Sequence, residues 1–216
     1  MQTKLILIEG MPGSGKTTTT IQLGECLQQK GFACRWYLED DDPHPIDCLD
    51  FALKDLVNKM PALWRNFVKQ VEEVKGLTII ESRLWQNTAM FMYMAEYPVS
   101  EIMKYHQLVW RELSPLSPLL VHLYQENVED GLKRIFSDRG EQWINKALKT
   151  TGKYQWFQGR SNNDIAGWVD FFKEWGNVAV RLYQDWPYRK ISVRDPHHDW
   201  ESSFSIINQS LDLENH

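Results

Sequence analysis

Cysteine is scarce in this 216-residue chain, and the three present, Cys26, Cys34 and Cys48, are an odd number without CxxC spacing. That pattern speaks against a disulfide framework and a thiolate zinc site, and it fits a reducing cytoplasm. Long apolar runs are missing as well. The N-terminal run Leu5-Ile6-Leu7-Ile8 is too short for a signal peptide or a membrane span, so no membrane association is expected. Positive charge is not in excess: 24 Lys and Arg stand against 29 Asp and Glu, for a net charge of −5. No broad basic face follows from that balance, and no nucleic-acid partner is expected. Repeats and low-complexity linkers are also absent, and the length suits one domain spanning residues 1–216. Ten tryptophans are the compositional surplus, suited to core and groove lining, although some could stack on a base.

What the chain does contain is Gly10-Met11-Pro12-Gly13-Ser14-Gly15-Lys16-Thr17, a full match to G-x-x-x-x-G-K-[ST] between an apolar strand and a helix-like stretch. Each fixed position has a mechanical reason. Gly10, Gly13 and Gly15 permit backbone conformations closed to other residues, so successive N–H groups can turn inward as an anion-binding nest. The helix that begins near Lys16 adds its unsatisfied amides and the positive end of its dipole. Lys16 can reach β- and γ-phosphates, and Thr17 can ligate Mg²⁺. Pro12, Ser14 and Thr18 complete the expected nucleotide-binding set. A glycine-rich turn that merely joins strand to helix is the bland alternative, and both spacing and flanking context oppose it.

Apolar runs at 4–9, 33–38, 77–80, 119–124 and 188–193 read as buried strands, and helical patterns separate them. The expected helices cover 18–30, 47–60, 61–75, 87–97, 100–113, 127–136, 164–186 and 199–213. Pro61 would begin the third of these at its first turn. The alternation makes the chain α/β, with a parallel sheet. In such a sheet, residues just past the strand ends face the ligand crevice. Glu39 follows the second strand, and that position favours a functional role for it. Asp40, Asp41 and Asp42 are expected to be solvated, and His44, between prolines, is either a substrate contact or simply exposed. Glu81 ends the third strand, where a carboxylate can position Mg²⁺ directly or through water; capping the next helix is its alternative. Arg83 can hold substrate or pair with an acid. Met90, Met92, Met94 and the nearby aromatics suit a core, and could also wall an acceptor pocket. Residues 143–163 fit no regular element and read as part of a lid or an insertion. Adjacent His197 and His198 suggest a metal only weakly.

On the 10–17 loop, Glu39, Glu81-Ser82-Arg83, and Leu132-Lys133-Arg134 with Arg139-Gly140-Glu141, the chain resembles the thymidylate kinase and nucleoside kinase branch of P-loop kinases. The loop is the specific part of that likeness. The resemblance implies a three-layer α/β/α P-loop NTPase fold with a five-stranded parallel sheet in the order 2-3-1-4-5. It also implies a helical lid around 134–163, an ATP donor with Mg²⁺, and lid arginines carried over to Arg134 and Arg139. From the residues alone these two arginines are equally surface partners of Asp138 and Glu141. Nucleoside kinases use the glutamate after strand two as base for the acceptor hydroxyl, a role that passes to Glu39 by the same resemblance. Thymidylate kinases carry Glu-Pro-Gly-Gly where this chain has Glu39-Asp40-Asp41-Asp42, and Asp-Arg where it has Glu81-Ser82-Arg83. Extra carboxylates at the acceptor mouth repel a phosphorylated acceptor and spare a neutral or cationic alcohol.

The expected activity is transfer of the γ-phosphoryl of ATP to a hydroxyl, or monophosphate, of a small molecule. Lys16, Glu39, Arg134 and Arg139 are the expected catalytic residues, Thr17 and Glu81 the Mg²⁺ residues, and Glu39 and Arg83 the acceptor contacts. An ATPase or nucleotide switch acting with a protein partner is the alternative. A sulfotransferase-like fold is disfavoured by the complete Lys16-Thr17 signature. No Asn-Lys-x-Asp guanine-reading motif is present, and the reading leaves room for a homodimer.

Overall fold

The computed structural model describes residues 3–47, 52–160 and 162–211. Strand β1 (Leu5–Gly10) is buried along its whole length, and its side chains divide with the two-residue period of a strand. Leu5 and Leu7 enter one apolar cluster, Ile6 and Ile8 the other. Two-sided burial of this kind demands helices on both faces of the sheet. Strands β2 (Cys34–Tyr37), β3 (Leu77–Glu81), β4 (Leu119–Tyr124) and β5 (Lys190–Arg194) complete a five-stranded sheet in the order β2-β3-β1-β4-β5. Every pairing is parallel. This is the expected three-layer α/β/α arrangement.

One face is covered by α1 (Lys16–Gln29) and α8 (Trp200–Gln209), through Leu23, Leu27 and Ile207. The larger cluster on the other face takes in α2 (Leu53–Glu72), α4 (Val99–Leu113) and α7 (Ile165–Asp185). The shorter helices α3 (Thr88–Met94) and α6 (Gln155–Arg160) join it, as does α5 (Val128–Thr151). Among the described residues, no helix is long and apolar enough to cross a membrane.

Three expectations about elements need correction. Pro61 does not start a new helix; it lies inside α2. The stripe Leu56, Met60, Trp64, Phe67 and Val71 runs unbroken across it, all buried. Burying that stripe outweighs the hydrogen bond that proline withholds. The start of the expected 47–60 helix falls in part outside the described residues, and α2 begins at Leu53. Second, the helix expected to stop at residue 136 continues to Thr151, with a non-helical break at Gly140 (φ 75°, ψ 176°). Phe136 before the break and Trp143 after it both pack on Trp168 of α7, with ring centroids 6.1 and 6.0 Å away, so aromatic contacts hold both halves. Third, much of the stretch that read as irregular is the second half of α5 followed by α6.

Candidate active site

The loop at 10–17 leaves the carboxyl end of β1 at the centre of the sheet. Gly13 and Gly15 have φ of 74° and 87°, a region that favours glycine, and the amides of Gly13, Gly15, Lys16 and Thr17 have no protein acceptor among the described residues. Several of the loop's carbonyls, by contrast, are held by side chains. Gln86 Nε2 donates to Gly10 O (2.9 Å), Lys16 Nζ to Met11 O (3.1 Å), and both Gln125 Nε2 and Arg134 NH2 to Gly13 O (3.2 Å each). Fixing the carbonyls outward leaves the amides free as a nest with the dipole of α1 behind it, a site able to receive an anion. Room around the loop is minimal: a Cβ on Gly13 would lie 2.1 Å from Gly131 O at the start of α5. Pro12 and Thr18 line the same cleft, whereas Ser14 is fully buried.

Glu81, buried at the end of β3, ties the loop to its neighbours. Its Oε1 accepts from the Thr17 hydroxyl at 2.7 Å, and its Oε2 accepts from the Glu39 amide at 3.3 Å. It caps no helix. A hydroxyl and a carboxylate that already touch are the hard oxygen donors that Mg²⁺ prefers, so these two residues fit the ion. Among the described residues, no group of three or more His, Cys, Asp or Glu could hold a metal by itself. Any cation here would therefore complete its shell with ligand oxygens and water.

Glu39 stands half-buried at the cleft, near Lys16. Burial raises its carboxyl pKa above the ordinary value; Lys16 pulls it down, and Glu81 and Asp40 push it up. Arg83 is buried and donates to Glu39 O at 2.6 Å, so it fixes the backbone of the strand-two turn. It is not among the residues that line the cleft. The acidic run is not uniform. Asp40 lines the cleft and pairs with Arg139 at 3.6 Å, while Asp41 Oδ2 accepts from the Leu38 amide at 2.7 Å and closes the turn. His44 is neither exposed nor a cleft residue: it is buried, its Nδ1 accepts from Ile46 N at 3.0 Å, and burial pushes its pKa down to about 4.

The two arginines expected on a lid separate. Arg139 lines the cleft, just before the break in α5. Arg134 instead bridges Gly13 O and His197 Nδ1 (3.4 Å), joining the glycine-rich loop to the turn after β5. The cleft itself has a volume of about 420 Å³. Gly13, Lys16, Thr17, Glu39 and Glu81 line it together with Asp40, Gln86, Asp138, Arg139 and Thr151, and an apolar wall joins them, with Met90, Phe91 and Met94 from α3 and Trp168, Phe171 and Phe172 from α7. Trp143 and Phe157 add to that wall. These methionines and aromatics are thus both core and cleft lining.

No protein-family model matches the sequence, and none of the curated proteins matches it either. Among solved structures, thymidylate kinase from Ehrlichia chaffeensis aligns with a TM-score of 0.57, over 99% of this chain and 100% of that one, at 13% sequence identity. The likeness is one of fold. It is a P-loop kinase-like fold, similar to that of this thymidylate kinase.

Sequence reading missed four contributors. Gln86 and Gln125 hold the loop's carbonyls, and Trp200 packs behind Gly15. Glu9, one residue before the loop, is buried with Oε1 accepting from Leu84 N at 2.7 Å, and so fixes the turn that carries Arg83. An acid directly before the glycine motif was the one legible signal among the four.

Proposed function

We propose that the chain is a Mg-ATP-dependent phosphotransferase that moves the γ-phosphoryl group to a hydroxyl, or monophosphate, of a small molecule. One observation carries the reading: free amides and Lys16 share one cleft with an apolar wall from α3 and α7, which forms a chamber beside them. A nest alone would suit any anion, and the adjoining chamber gives a second reactant its place. Cys26 and Cys34, both free thiols, suit a reducing cytoplasm.

In this reading the loop amides and Lys16 hold the polyphosphate, and Thr17 with Glu81 would hold Mg²⁺. Bound magnesium would supply neutralisation of charge on the phosphate oxygens. Glu39 accepts the proton of the attacking hydroxyl, a task for which its carboxylate faces the cleft beside Lys16. Arg139 offers positive charge from the lid, while Arg134 and Arg83 keep the loop and the strand-two turn in position. The ion pair of Arg139 with Asp40 links lid to sheet, and closure over a donor would exclude water from the transfer.

Lys16→Ala tests the reading. Among the described residues, the buried Lys16 ammonium bonds to the Met11 carbonyl alone, so the variant is expected to fold, with an unchanged circular dichroism spectrum, and to lose transfer. Full activity in a folded Lys16→Ala protein overturns the assignment. Slow hydrolysis without any acceptor preference, stimulated by another macromolecule, would favour the switch reading instead.

A further inference from the structure

Building on the phosphotransfer reading, we propose that the acceptor is an uncharged lipophilic alcohol, aryl or branched alkyl, whose hydrocarbon body fills the chamber while its hydroxyl meets Glu39. Two properties of the cleft lead there: the shortage of cations in its wall and the small number of polar side chains beside its apolar wall.

Among the described residues, the cations lining the cleft are Lys16 and Arg139. Lys16 lies at the glycine-rich loop, where a donor's phosphates belong, and Arg139 pairs with Asp40. Arg83 holds the Glu39 carbonyl, and Arg160 lies over the Trp156 ring with its guanidinium bonded to Glu96 at 3.0 Å. None of the residues outside the described set is a lysine or an arginine. A phosphate group on the acceptor would instead meet Glu39 and Asp138, which line the same cleft beside the Asp40–Arg139 pair and the Glu81–Thr17 contact. Like charge in a partly enclosed site is costly, so the wall selects against a monophosphate.

The chamber is also poorly equipped to read a nucleobase. Its wall includes Met90, Phe91, Trp143, Phe157, Trp168 and Phe172. Of the polar side chains beside it, the Thr151 hydroxyl donates to Ala147 O (3.1 Å) and accepts from Trp168 Nε1 (2.9 Å). Gln86 donates through Nε2 to Gly10 O. A base brings several donors and acceptors that would lose water and find few partners, whereas an arene or alkyl body gains by burial. Phe91 already stacks on Tyr154, with rings 5.8 Å apart and nearly parallel, a rigid flat face for such a body.

The step balances simply. The alcohol oxygen forms a bond to the γ-phosphorus, the bond from that phosphorus to the bridging oxygen of the β-phosphate breaks, and ADP carries off the electron pair. The hydroxyl proton passes to Glu39, and the products are ADP and a phosphate monoester.

The test gives the full-length protein MgATP with 2-phenylethanol, indole-3-ethanol, geraniol, thymidine or thymidylate, and measures the phosphorylated product by mass spectrometry. The best lipophilic alcohol is expected to exceed thymidine and thymidylate in kcat/KM by at least about tenfold. Phe91→Ala should raise its KM by about tenfold or more, Phe91→Leu should recover most of that loss, and MgATP affinity should be unchanged in both. Preference for thymidine or thymidylate overturns the proposal and leaves phosphotransfer standing. Absence of transfer to every lipophilic alcohol, with MgATP shown to bind by thermal shift, also overturns it. Failure to bind MgATP at all removes the phosphotransfer reading together with this one.

Discussion

The indole of Trp200 occupies the space behind Gly15: a Cβ built on that glycine would lie 2.4 Å from Trp200 Cη2. The first residue of the last helix thus buttresses a loop at the other end of the chain. Gly15→Ala meets two penalties, a left-handed φ of 87° and the collision with the ring. Strain of roughly 1–2 kcal/mol adds to overpacking of roughly 1–3 kcal/mol. The expected result is a Tm lowered by roughly 5–15 °C, read by calorimetry. Adding Trp200→Ala should restore only the steric part. A Gly15→Ala protein that melts with the parent would rule out both penalties.

Glu39 makes the clearest kinetic prediction. Burial lifts its carboxyl pKa, so the acidic form persists to higher pH than usual, and only the carboxylate can take a proton. The rate kcat should therefore climb with pH through that raised value and then level. Glu39→Gln is expected to lose the climbing limb and about 10²–10⁴ in kcat, with the KM for ATP much less affected. Steady-state profiles across pH decide it: equal losses in kcat and ATP affinity would remove Glu39 as the base.

Where the sequence was legible, the signal was local. The 10–17 motif, Glu81 at a strand end and the five apolar runs are each visible within a few residues, and the sheet has the expected order. Local signals also misled. Pro61 is a sound helix-start signal in isolation, and it lost to a buried stripe that only the packing of α2 reveals. The break at Gly140 could not be placed because Phe136 and Trp143, on either side, are held by one residue of a later helix, Trp168. Gln86 and Gln125 escaped notice for a related reason: a side chain that holds a distant carbonyl follows no spacing rule. His44 read as undecided between contact and exposure, and burial beside Tyr37 supplied a third answer.

Acid should loosen the larger apolar cluster through its histidines. His106 is fully buried, its Nε2 accepts from Trp85 Nε1 at 3.1 Å, and burial pushes its pKa down to about 3. Burial also lowers His122 to about 4. Unfolded histidine, with an ordinary value of 6.5, takes up its proton first, so this stability is complete above about 6.5 and is lost as pH falls toward about 3–4. His106→Gln can retain an acceptor for the Trp85 indole and cannot titrate. Its stability should fall less steeply with acid, by about one proton, in urea melts followed by tryptophan fluorescence. Parallel acid slopes in parent and variant would exclude His106 as a source of the acid sensitivity.

Glu9 should act in the opposite direction. Burial raises its carboxyl from an ordinary 4.5 to about 8, although the Leu84 amide and Lys16 both oppose the rise. The fold therefore favours the protonated form of Glu9 to higher pH than the unfolded chain does. Its contribution to stability is full below about 4.5, declines as pH rises, and is spent above about 8. Glutamine is a neutral replica that can still accept from the Leu84 amide. Glu9→Gln should thus gain on the parent as pH rises, with little difference near pH 5 and the largest near pH 8. Melting both proteins across that range is the check. A Tm difference that stays constant with pH would mean that Glu9 is ionised in the folded protein, with Lys16 as its counter-charge.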